Sequence, residues 1–309
     1  MNRPVSGLVL ILMSALLPLV VGCEPSSNAD STDKRIRVVC TTGMVADLVR
    51  NVGGDHVRVT ALMKAGVDPH LYQASPGDIV LLNGADAIFY SGLHLEGRMT
   101  DLLESMADRK PSVAVATAIP EDKILHDENN AHDPHLWFDV ALWSQAADAV
   151  RDALCQHDPT HADEYRANTQ RLQQRLAKLH EETEHATDAI PKGHRVMVTA
   201  HDAFRYFGRA YKIDVRGIQG ISTDSEAGLN KINELVNFLV ERKIKAVFVE
   251  TSVSDENVRA LLEGCQVKGH TVVIGGSLFS DAMGAEGTPE GTYEGMIRHN
   301  VEIIVKALK

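Results

Sequence analysis

Along the chain, short runs of apolar and β-branched residues alternate with longer stretches in which apolar positions recur every three or four residues. The short runs predict strands over 36–42, 57–63, 87–91 and 113–117, and a second set much later over 195–200, 246–251 and 271–275. The longer patterns predict helices over 44–52, 98–107, 141–155, 225–241 and 255–267. In 292–308, Met296, Ile297, Val301, Ile304, Val305 and Leu308 fall at helical spacing, so this stretch should dock on the second sheet. Strands that alternate with helices imply an α/β fold built of βαβ units with mostly parallel sheets.

Between the two sets lies 160–190, without a glycine or an internal proline. Tyr165, Thr169, Leu172, Leu176, Leu179, Thr183, Ala186 and Ile190 recur there in alternating steps of four and three, on an otherwise polar background. That is a single amphipathic helix, roughly 45 Å long at ~1.5 Å per residue. Pro159 and Pro191 bracket it as start and stop residues. With Thr and Ala in its seam it makes a weak coiled coil. A rigid strut between two βα-sandwich lobes fits the pattern better.

The N-terminus reads differently. Met1, Asn2 and Arg3 precede an almost unbroken apolar run from Val5 to Val21, the form of a secretory signal. The run is too short and too poorly flanked for a membrane span. It closes on Val20-Val21-Gly22-Cys23, which resembles the lipobox of bacterial lipoproteins, so Cys23 is the expected lipidation site. The Ser- and Pro-containing stretch after it reads as a flexible tether. The expected organisation is therefore a signal peptide over 1–22, a tether over 23–34, an N-terminal α/β lobe over 35–158, a linking helix over 159–191 and a C-terminal α/β lobe over 192–309. The protein should be extracytoplasmic, in the periplasm or on the cell surface, and held to the membrane by its lipid.

Composition narrows the partners. The chain is 44% hydrophobic and 24% charged, as in ordinary globular proteins, and its net charge of −11 argues against nucleic acid and anionic surfaces. Besides Cys23 the cysteines are Cys40, Cys155 and Cys265, without CxxC spacing, so neither a disulfide framework nor a thiolate zinc site is indicated. Cys40, in an apolar run, reads as a buried free thiol.

Candidate chemistry rests on histidine. Asp68-Pro69-His70-Leu71-Tyr72 and Asp133-Pro134-His135-Leu136-Trp137 are two copies of one Asp-Pro-His-Leu-aromatic unit. Proline fixes its own φ and biases the preceding residue to extended geometry, so both imidazoles are presented from stiff loops. His201 follows the strand over 195–200, and Asp281 follows a glycine-containing exit from the last predicted strand. Ligands of α/β sheets bind at such carboxyl ends. Three imidazoles and a carboxylate suit a divalent first-row metal.

These segments, together with Val198-Thr199-Ala200-His201-Asp202-Ala203-Phe204 and Gly276-Ser277-Leu278-Phe279-Ser280-Asp281-Ala282-Met283-Gly284, resemble those of the TroA-like solute-binding proteins. These are zinc- and manganese-binding lipoproteins that serve ABC transporters. The resemblance runs in order over nearly all of the mature chain. It implies two α/β lobes joined by one rigid helix, with one metal ion in the interlobe cleft held by His70, His135, His201 and Asp281. It also implies delivery to an ABC permease by a monomer. Histidine at the third position, where manganese binders carry glutamate, favours Zn²⁺, with Mn²⁺ the alternative. Glu250 is a candidate for hydrogen bonding to a ligand imidazole, and His94 for packing near the cleft. His126 and His132 read as residues of a solvated loop that could catch metal transiently. A secreted zinc hydrolase is the first alternative, but no HExxH is present and four protein donors would close the site. A metal-binding adhesin lipoprotein is the second, and nothing in the chain reads as a receptor-binding repeat.

Overall fold

The structure, a computed structural model, describes Met1 and residues 33–309. The expected signal sequence and Cys23 lie outside the described residues. From Arg35 to Lys309 the chain forms one compact unit.

The first half is a parallel sheet with helices between its strands. β1 (Ile36–Cys40) pairs with β2 (Val57–Ala61) and with β3 (Ala87–Tyr90), which pairs with β4 (Ser112–Ala114), in the order β2-β1-β3-β4. α1 (Gly43–Gly53) starts where the Thr42 hydroxyl accepts the Val45 amide, and buries Met44, Val45, Leu48, Val49 and Val52. α2 (Pro76–Gly84) and α3 (Thr100–Met106) follow β2 and β3. The sequence pattern did not predict α2. Its apolar residues form no stripe, since only Leu82 among them is buried; Ser75, Pro76 and Asp78 make the helix through a capping box with proline at its first position.

Two helices then cross the molecule: α4 (Val140–His157) and α5 (Ala162–Asp188). The 27 residues of α5 span roughly 40 Å. Its buried stripe is Tyr165, Thr169, Leu172, Leu176, Leu179, Thr183 and Thr187, packed on α1, α4 and two later helices of the same chain. The seam is thus covered without a second chain. Its three threonines are compatible with burial because each hydroxyl donates to the carbonyl four residues back, at 2.8–2.9 Å.

The second half contains β5 (Val196–Thr199), α6 (Arg205–Tyr211), β6 (Asp214–Gly217), α7 (Leu229–Arg242), β7 (Ala246–Glu250), α8 (Glu256–Val267), β8 (Val273–Leu278) and α9 (Tyr293–Leu308). β5 pairs in parallel with β6, and β7 with β8, while β5 lies beside β7. β8 runs three residues beyond the predicted end. Gly276, which read as the exit from the strand, lies with Gly275 inside it because α9 packs closely there. A Cβ on Gly276 would stand 2.4 Å from Ile303 Cγ2. One apolar core runs from β1 and α1 through Trp137, Phe138, Trp143, Phe204, Tyr206 and Phe207 to Phe248, Leu278 and α9. Cys40 and Cys265 are buried, Cys155 is half-buried, and all three are free thiols.

Candidate metal centre

Four loops at one end of the sheets converge. His70 comes from the connection between β2 and α2, His135 from the segment before α4, His201 from the exit of β5 and Asp281 from the exit of β8. The repeated unit has a common construction. In each copy the aspartate carboxylate accepts the backbone N–H of the histidine two residues on, Asp68 Oδ1 from His70 at 2.8 Å and Asp133 Oδ1 from His135 at 3.1 Å. An Asx turn closed around a proline fixes where the imidazole leaves the backbone.

The four side chains are buried: His135 and His201 have no exposed surface, Asp281 keeps 1% and His70 6%. Their donor atoms lie within 4.8 Å of one another. His70 Nε2 and His135 Nε2 are 3.4 Å apart. Asp281 carboxylate oxygens stand 3.2 Å from His201 Nε2, 3.5 Å from His135 Nε2 and 3.7 Å from His70 Nε2. Four donors placed tetrahedrally at about 2.0–2.1 Å from a zinc-sized ion would stand roughly 3.3 Å from each other. The observed separations of 3.2–3.7 Å bracket that value. His201 Nε2 and both Asp281 oxygens are buried without a hydrogen-bond partner among the described residues. Unsatisfied buried polar atoms are costly, and a cation held among these three would satisfy them.

Two further carboxylates set the imidazoles. His135 donates from Nδ1 to Asp133 Oδ1 at 2.8 Å, and His201 donates from Nδ1 to Glu250 Oε2 at 2.5 Å. Glu250 Oε1 also accepts the His201 backbone N–H at 2.9 Å. With Nδ1 donating, each ring turns Nε2 inward as a lone pair.

The charges follow from this arrangement. Burial opposes protonation of His135, but its hydrogen bond to Asp133 and its closeness to Asp281 outweigh that and hold its pKa up at about 9. His201 is likewise raised well above the usual imidazole range: burial opposes the charge, and attraction to Glu250 and Asp281 overcomes it. Asp281 is held well below the usual carboxylate range because His201 and His135 outweigh its burial. For His70, burial dominates and its pKa falls to about 3. These directions agree with one another: the Asp281 carboxylate stays charged, and the two imidazoles beside it are drawn toward the protonated form.

Of the other predicted residues, Glu250 lies behind His201 as described. His94 is exposed, in left-handed backbone at φ 62°, and is not among the converging donors. The buried group near it is Glu96, which accepts the Thr41 hydroxyl at 2.6 Å and the Ser91 N–H at 2.8 Å. His126 and His132 face each other across a single antiparallel bridge, beside Glu121. Asp133 and Asp68 were missed as positioning groups, although the signal stood in the motif: an aspartate two residues before each histidine.

Comparison with known proteins agrees with this architecture. The family profile described as "ZnuA: Zinc-uptake complex component A periplasmic" matches residues 38–307. The chain is 49% identical over 304 residues to the manganese-binding lipoprotein MntA of Bacillus subtilis, covering 98% of this chain and 99% of that protein. It is 46% identical over 282 residues to the zinc-binding protein TroA of Treponema pallidum, covering 91% and 92% of the two chains. The solved structure of that periplasmic zinc binding protein superposes with a TM-score of 0.86 at 46% identity, over 89% of this chain and 99% of the other.

Proposed function

The chain belongs to the ZnuA family of periplasmic zinc-uptake components, the solute-binding proteins of metal ABC transporters, and from that premise we propose that it captures one divalent transition-metal ion with His70, His135, His201 and Asp281 and delivers it to a membrane permease. The observation that carries this reading is the trio of buried, unpartnered acceptor atoms, His201 Nε2 and both Asp281 oxygens, facing two further imidazoles. Asp133 and Glu250 act by fixing the tautomers of His135 and His201, so that both present a lone pair to the ion. The ion replaces the protons that these imidazoles otherwise hold, and binding releases them.

Zn²⁺ is the preferred ion and Mn²⁺ the alternative. Three nitrogens and one carboxylate rank zinc above manganese, and the near-tetrahedral separations suit an ion without d-electron preference. Four protein donors that close the site favour carriage over hydrolysis, which needs a coordinated water beside a general base. The protein works as a monomer outside the cytoplasm, anchored through lipid on Cys23, with lobes over 35–158 and 192–309 joined through 159–191. Native mass spectrometry of protein purified without added metal, followed by competition titration with Zn²⁺ and Mn²⁺, tests the reading. One ion per chain, lost in His201→Ala, is expected. An undiminished ion in that variant would overturn the site, and a preference for Mn²⁺ would overturn the choice of metal.

A further inference from the structure

A second group of donors lies outside the buried centre, where the helical turn before β2 meets the start of α5. His56, His161 and Glu164 bring donor atoms within 4.8 Å of one another. The two imidazoles stack with centroids 3.8 Å apart and an interplanar angle of 22°. His56 Nε2 stands 2.8 Å from Glu164 Oε2, a residue 108 positions away in sequence, so the group is built by the tertiary fold rather than by helical spacing. Behind it, His161 Nδ1 donates to Asp158 Oδ2 at 2.6 Å, and the hydroxyl of the fully buried Tyr165 donates to the same oxygen at 2.8 Å. This repeats the construction of the buried centre: a carboxylate fixes one ring nitrogen, and Nε2 of His161 is left as a lone pair.

We propose that His56, His161 and Glu164 form a second, solvent-open site for a late divalent transition-metal ion such as Zn²⁺ or Cu²⁺, with water completing its coordination. Between His56 and Glu164 a proton occupies the place that the ion would take. Donor atoms 2.8 Å apart can both contact one ion at about 2.0–2.1 Å. Side-chain exposures of 24% for His56, 36% for His161 and 64% for Glu164 leave room for water ligands. The site lies at the positive end of α5, but Asp158, Asp163 and Glu164 are gathered there, and Arg166 faces Asp163 rather than the donors. With three donors in place of four, and in contact with solvent, this site binds more weakly than the buried one. The site stands whether or not the buried cluster carries the transported ion.

Zinc titration of the purified full chain by calorimetry tests the proposal. The wild type should take up a second, weaker equivalent after the first. His56→Ala and His161→Ala should lose that equivalent and keep the first. Asp158→Asn should weaken it by roughly tenfold or more, as removal of a group that orients a ligand imidazole does. The double variant His126→Ala/His132→Ala should retain it, which separates this site from the loop beside Glu121. A titration that ends at one equivalent, or a second equivalent that persists in both single variants, would overturn the proposal. In that case the stacked pair is a hydrogen-bonded clasp between the turn and α5, and His56→Ala changes stability alone.

Discussion

Glu250→Gln isolates what a carboxylate contributes without touching the ion. In the structure Glu250 accepts twice from His201, from Nδ1 at 2.5 Å and from the backbone N–H at 2.9 Å. Glutamine has one acceptor oxygen, and its amide nitrogen must face the other donor. If the oxygen keeps the backbone N–H, the amide drives the ring to the tautomer with hydrogen on Nε2, the atom aimed at the ion. If it keeps Nδ1, a buried N–H loses its partner. Loss of such an orienting carboxylate weakens metal binding by roughly 10- to 100-fold, about 1.4–2.8 kcal/mol. An opposing effect reduces the loss near neutral pH. Glu250 also raises the pKa of His201, and its removal lessens the competition from protons. The deficit should therefore be smallest near neutral pH and widen as the pH rises and protons compete less in the wild type. Competition against a chromophoric chelator at several pH values measures both quantities. A deficit below threefold at every pH, or one that shrinks as the pH rises, would refute the reasoning.

Metal-free protein should lose stability as the pH rises from about 6.5 to about 9, because a His135 proton held only in the folded state contributes below that window and is lost through it. Below about 6.5 the sign reverses for His70: its folded pKa near 3 means that the unfolded chain takes up the proton first, so acid destabilises the fold through this residue. Thermal unfolding of chelated protein across this range checks both, and flat behaviour above pH 6.5 would count against the charge assigned to His135. Cys23→Ala should abolish incorporation of a labelled fatty acid while leaving metal affinity unchanged; persistent label would move the anchor elsewhere. Scattering curves of metal-free and metal-loaded protein should nearly coincide, since α5 is continuous and one apolar core joins the first sheet to β7 and β8. A marked fall in radius of gyration on binding would show that the two halves close like a clamshell.

The fold was legible wherever burial imposes a period. α5 is the clearest case: seven apolar or small positions in steps of three and four face the core, and the predicted limits of 160–190 exceed Ala162–Asp188 by two residues at each end. Elements that burial does not pattern were invisible. β6 is four residues, Asp-Val-Arg-Gly, too short to show alternation, and it exists because β5 offers it an edge. α6 has seven residues, four of them buried, and at about two turns it is too short for Arg205 and Arg209 to mark out a polar face by periodicity. The end of β8 was misplaced because glycine carries two meanings. It marks a turn when the backbone must reverse, and close packing when, as at Gly275 and Gly276, α9 leaves no space for a side chain.

At the site, the difference between what the sequence revealed and what it hid is one of range. The Asp-Pro-His units are local: the turn that presents each imidazole is closed by a carboxylate two residues away, so the repeated motif contained its own geometry. Yet the two copies are used differently, and the motif could not say so. Asp133 Oδ1 holds the ring of His135 as well as its backbone, whereas Asp68 spends its second oxygen on the Thr223 hydroxyl, 2.6 Å away and 155 positions along the chain. That contact ties the His70 loop to the segment after β6 and leaves the His70 ring without a carboxylate behind it among the described residues. The result is an asymmetric donor set. Two imidazoles are clamped by carboxylates and made basic by them. The third is neutral, and its orientation depends on a loop held to the other half of the molecule. Under the proposed function, the Asp68–Thr223 contact positions the one imidazole of the three that can withdraw without leaving an unpaired carboxylate behind it.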